Sequence, residues 1–78
     1  KRRCDMPHFE VKLYPGYRPE QLRTLTDHIV QAAVQDLKVP ENVVSVAFQE
    51  IAPEHWQEQV YQPLIQDRDG LAKAPKYK

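Results

Sequence analysis

The side chains able to do chemistry in this 78-residue chain are few and scattered. His8, His28 and His55 have no i, i+4 pairing and no cysteine partner, so the spacing that would hold a metal is missing and no metal site is expected. Cys4 is the single cysteine, which forbids an intrachain disulfide and leaves no thiol pair for redox chemistry. Arg2-Arg3 could touch phosphate, but two arginines at a frayed end are ordinarily solvated. Arg18 stands in a loop after Pro15-Gly16 and has the fork that suits a carboxylate. His8 carries an imidazole that can tune or orient a proton transfer near neutrality. Trp56 offers a large apolar ring with one polar handle. By composition alone, Pro7 is a proline at the entry to a strand.

The elements that must position these residues follow from hydrophobic period. From His8 the pattern alternates, with Phe9, Val11 and Leu13 on one face and His8, Glu10, Lys12 and Tyr14 on the other, which predicts a strand over 8–14. Pro15-Gly16 breaks it. Pro19 sits where a first helical residue tolerates proline, and Glu20 favours the positive end of the helix dipole. Leu22, Leu25, Ile29, Ala33 and Leu37 then form a stripe at helical spacing, with Val30 and Val34 beside it, so the helix should run to Lys38. Beyond Pro40, the β-branched run from Val43 to Ile51 predicts a second strand, apolar enough on both faces to be the inner one. Pro53-Glu54 should open a short helix through Trp56 and Tyr61. Pro63 then either kinks it or opens a second one ending near Gly70, and the residues after Ala72 read as extended.

Two strands joined by a long helix make an α/β fold of one βαβ unit, parallel and with a right-handed crossover. The helix covers one sheet face, so the other must be closed by the C-terminal segment, by another subunit, or by both. Size points the same way, since a chain this short buries only about 60% of its unfolded surface. A homo-oligomer is expected. Eleven Lys and Arg balance eleven Asp and Glu, so no global basic field favours nucleic acid. The apolar runs of three or four residues fall far short of a membrane span, which needs about 20, and no signal-peptide core is visible. Neither a membrane nor nucleic acid is expected as partner, and the cytoplasm is the expected location.

With Met6-Pro7-His8 before a strand, a βαβ pattern, and Ile51-Ala52-Pro53-Glu54-His55-Trp56 after it, the sequence resembles the 4-oxalocrotonate tautomerase family. The likeness covers residues 7–78 and includes Glu20-Gln21 at the helix start, Ser45 in the second strand, and Lys73-x-Pro75-x-Tyr77 near the end. It is greatest to the long-tailed, dimeric bacterial branch that acts on phenylpyruvate-like keto acids. The resemblance implies keto–enol tautomerisation without metal or cofactor, catalysed by an N-terminal proline, here Pro7, after removal of the methionine. A terminal proline is a secondary amine, and α-amino groups have reference pKa values of about 7.7 to 8.0. An apolar pocket disfavours the charged form and frees a base near neutrality.

Residues 1–6 depart from this pattern, because with them attached the Pro7 nitrogen is a tertiary amide with no basic lone pair. As written the chain should be inactive. Residues 1–6 are therefore read as an extension that is foreign to the mature protein or removed from it, with residues 7–78 as the tautomerase-like domain; otherwise this member has given up the proline chemistry. The family's dicarboxylate enzymes also use two arginines. One aligns here with Ala47 and the other with Tyr17, Arg18 lying one place later. Loss of that clamp implies a substrate with one carboxylate and an apolar remainder, bound by Arg18, His8 and Trp56, the last aligning with an aromatic pocket wall. Two alternatives stay open: a hydratase-type relative in which protonated Pro7 is only an acid, and a non-catalytic oligomeric protein that binds small molecules with its proline blocked.

Overall fold

A computed structural model describes residues 6–66 and 70–77. The extension read at residues 1–6 thus lies outside the described residues apart from Met6, as do Arg2, Arg3 and Cys4. The described residues fall into two units. One holds those up to Val11 together with Gly16–Gln49, the other Lys12–Pro15 together with those from Glu50 onward.

Strand β1 spans His8–Leu13 and β2 spans Ser45–Glu50, and the two form a two-stranded sheet. The Ser45 N–H donates to the Pro7 carbonyl at 3.2 Å and the Ile51 N–H to the Leu13 carbonyl at 2.8 Å. Since 45 − 7 and 51 − 13 both give 38, the strands run parallel in one register, as a βαβ unit demands. The second strand starts later than its β-branched run suggests. Glu41–Val43 forms a 3₁₀ turn after Pro40, with the Val43 and Val44 N–H groups donating to Pro40 and Glu41, so these backbone groups are committed before pairing begins. Among the described residues the sheet has two strands, so β2 is an edge and not the inner strand expected.

In the first unit, helix α1 spans Pro19–Leu37. It starts where proline needs no N–H partner, and the Gln21 side chain accepts the Arg18 N–H at 2.8 Å, the return bond of a capping box. It ends at Lys38, which takes the left-handed conformation at φ 60° and donates its N–H to Val34. That conformation costs a non-glycine residue about 1–2 kcal/mol, and Pro40 two places on rules out continuing the helix instead. The apolar stripe is only partly covered: Ala33 is buried and Ile29 half-buried, whereas Leu25 and Leu37 stay 39% and 53% exposed. Phe9 of β1 faces Ile29, Ala32, Ala33, Asp36 and Leu37 across an open apolar groove of about 320 Å³. Two strands are too narrow a floor for a helix of five turns.

The second unit contains α2, Pro53–Trp56, which continues as a π-helical segment over Gln57–Gln66. Pro63 falls inside that segment, where its missing N–H removes one helical hydrogen bond whichever spacing the helix adopts. Of the two readings at Pro63, a second helix does not open there: the helical segment passes through it in the wider i→i+5 winding. The expected end near Gly70 falls partly outside the described residues. From Gly70 to Tyr77 the chain makes bends without pairing into a strand.

The buried apolar residues are Ala33 and Val39 in the first unit and Ile51 and Val60 in the second; among the described residues no large side chain is fully buried. This is a thin core even for a small domain.

Candidate active site

Pro7 is half-buried and immediately precedes β1. Its carbonyl is engaged by Ser45, so parallel pairing fixes the residue at the start of the sheet and leaves its nitrogen outside the ladder. In this chain that nitrogen is bonded to Met6, whose side chain is 76% exposed.

His8, the next residue, points its side chain to the other face of the strand from Phe9. Its Nδ1 lies 2.7 Å from Ser45 Oγ and its Nε2 lies 2.9 Å from Glu10 Oε1. Glu10 is two residues along β1 and therefore on the same face, and the register brings Ser45 opposite. An ionised carboxylate can only accept, which assigns a proton to Nε2; a neutral ring then accepts the Ser45 hydroxyl proton at Nδ1. The result is a carboxylate–imidazole–hydroxyl row in which the serine backbone also holds Pro7. Ser45 had a place in the family pattern, but nothing local in the sequence marks Ser45 and Glu10 as partners of His8. Thirty-seven positions separate His8 from Ser45.

Arg18 is placed differently from a residue converging on this row. It caps α1, and its Nε lies 3.6 Å from Glu20 Oε2, with both side chains well exposed. Such a pair contributes at most about 1 kcal/mol. The structure thus gives Arg18 a described partner on its own helix and brings it no described contact with His8.

Trp56 closes α2 in the second unit and is half-buried. Its ring meets Tyr14 edge to face at 5.0 Å and 89°, and its indole N–H donates to Tyr77 Oη at 3.1 Å. Tyr77 in turn lies against Tyr61 at 5.8 Å between ring centres. Four aromatic rings, from the residue after β1, from α2, from the π-helical segment and from the C-terminal residues, form one row. The sequence pointed to Trp56 alone, because a ring contact with Tyr14 across 42 positions and a hydrogen bond to Tyr77 across 21 leave no local pattern.

Among known proteins, residues 7–61 match the family described as Tautomerase enzyme, so the matched region opens on Pro7. The chain is 38% identical to Tautomerase PptA of Cronobacter sakazakii over 74 residues, covering 92% of this chain and 97% of that protein. Identity to Tautomerase PptA of Pectobacterium atrosepticum is 35% with the same coverage. Of solved structures, TomN, a 4-oxalocrotonate tautomerase homologue in the tomaymycin biosynthetic pathway, superposes with a TM-score of 0.62 at 32% identity, over 64% of this chain and 77% of that one.

Proposed function

The chain belongs to the tautomerase family, and from that premise we propose that it interconverts the keto and enol forms of a 2-keto acid with one carboxylate, phenylpyruvate being the type, with Pro7 as general base and then acid once it is N-terminal. The observation that carries this reading is the position of Pro7. It heads β1, it opens the family match, and the strand ladder engages its carbonyl and not its nitrogen. As a terminal secondary amine it takes a proton from the carbon beside the keto group and returns one to the carbonyl oxygen, giving the enol; the reverse order gives the ketone. No redox change or cofactor enters the balance.

The substrate reading is supported by the residues around it. Ala47, half-buried in β2, offers no charge where a dicarboxylate enzyme would need a second guanidinium. Within this proposal His8, held by Glu10 and Ser45, is assigned to the polar end of the substrate, Arg18 to its carboxylate and Trp56 to its apolar end. Assembly belongs to the same proposal. Only two apolar side chains are buried in each unit among the described residues, and Leu25 and Leu37 stay exposed on α1, which supports a homo-oligomer, a dimer first of all.

The deciding experiment compares protein that begins at Pro7 with protein that retains residues 1–6. The shorter form should ketonise phenylenolpyruvate well above the buffer rate and the longer form should not. Equal rates would remove proline as the base, because an amide nitrogen cannot accept the proton. Intact mass of material from its native cells completes the test: Lys1 still attached there would favour the non-catalytic binding protein.

A further inference from the structure

We propose that Tyr77 is a positioning residue for Trp56, and that through it the C-terminal residues set the preference for a substrate bearing an aromatic ring. This rests on the reading of Trp56 as the wall that takes the substrate's apolar end. The indole has a single donor, its N–H, and here that donor is held by Tyr77 Oη at 3.1 Å. The ring also meets Tyr14 edge to face at 5.0 Å. A hydrogen bond at one edge and a perpendicular ring contact together define the tilt of the indole plane as well as its place. Trp56 lies where α2 passes into the π-helical segment, and both of these ring partners come from residues distant in sequence.

Tyr77 is suited to the task because it is itself anchored. Residues near a chain end usually fray, and Tyr77 is 49% exposed, yet its ring lies 5.8 Å from that of Tyr61 in the π-helical segment while its hydroxyl accepts from Trp56. A ring ordered before the ligand arrives loses less freedom on binding, and the gain is confined to ligands that use that ring. Phenylpyruvate should therefore gain from Tyr77 and pyruvate, which lacks the ring, should not.

Trp56 is the only tryptophan, so its fluorescence reports on this ring alone. Tyr77→Phe keeps the contact with Tyr61 and removes only the hydroxyl. Time-resolved anisotropy of the full chain without ligand should then show faster local motion of the indole. Calorimetric affinity for phenylpyruvate should fall about fivefold, as expected for one neutral hydrogen bond, while that for pyruvate stays the same. Binding needs no free amine at Pro7, so this test is separate from the proline chemistry. Unchanged anisotropy would overturn the positioning role. Faster motion with unchanged phenylpyruvate affinity would show that Trp56 is not at the substrate, and the assignment would fall with that reading. Tyr77→Ala removes the ring as well; a loss of affinity with Ala but none with Phe would assign the effect to packing and overturn the hydrogen-bond argument.

Discussion

The Pro7–His8–Glu10–Ser45 row and the Tyr14–Trp56–Tyr77–Tyr61 row are built by different forces. The first is a set of short polar contacts, 2.7 and 2.9 Å on either side of one imidazole, between exposed side chains on a strand pair. Its behaviour depends on where protons sit, and water can compete for each bond. The second is a set of ring contacts at 5.0 and 5.8 Å tied by one hydrogen bond. It depends on shape and is insensitive to charge. A protein divided in this way should lose turnover when the polar row is changed and ring selectivity when the aromatic row is changed.

The largest effect should come from the covalent state of Pro7. Releasing residues 1–6 should raise the ketonisation rate by about 10²- to 10⁴-fold, the usual yield of one well-placed acid–base group, with KM read separately from kcat. The pH profile of the short form follows from the sign of the ionisation. A protonated amine cannot accept a proton, so activity should drop as the solution is made acid, through one ionisation below that of an ordinary α-amino group. A flat profile would remove the Pro7 amine as the base.

Pro7→Ala in the short form should lower kcat by between about 10- and 100-fold without abolishing it, since a primary amine remains but without the ring that fixes its direction. Trp56→Ala should raise KM for phenylenolpyruvate by about tenfold and leave kcat nearly unchanged. A mainly kcat effect at Trp56 would break the division between the rows. The smallest effect is expected for Ser45→Ala, which removes the hydroxyl beside His8 but keeps the backbone bond to Pro7. Because that pair is exposed, stability should change by less than about 1 kcal/mol, read as a small shift of the melting midpoint. A larger loss would mean that assembly buries the row.

The elements were legible because each rests on a short-range period. Alternation from His8 to Leu13 and the stripe from Leu22 to Leu37 are visible within single windows, and prolines mark the start at Pro19 and the break at Pro40. The boundary that differs, Val43 in a 3₁₀ turn, is a place where backbone hydrogen bonding overrode a favourable composition, and at Pro63 the sequence left two readings open between which the winding of the backbone decided. The exposure of Leu25 and Leu37 could not be read either, since a stripe tells which face is apolar and not how wide a floor it meets.

By itself, then, the sequence determined the βαβ order, the place of Pro7 ahead of the first strand, and the family likeness those residues carry. Tertiary structure decided which side chains face one another. Ser45 meets His8 only because the ladder ties the Ser45 N–H to the carbonyl of Pro7, the residue before His8, and a slip of one residue would turn Ser45 to the other face of the sheet. Tyr77 meets Trp56 only because the last residues return to α2 across 21 positions. Periodicity is a property of neighbours along the chain, whereas a hydrogen bond between distant side chains depends on register and on the path of the backbone between them, and neither is written in any short window of residues.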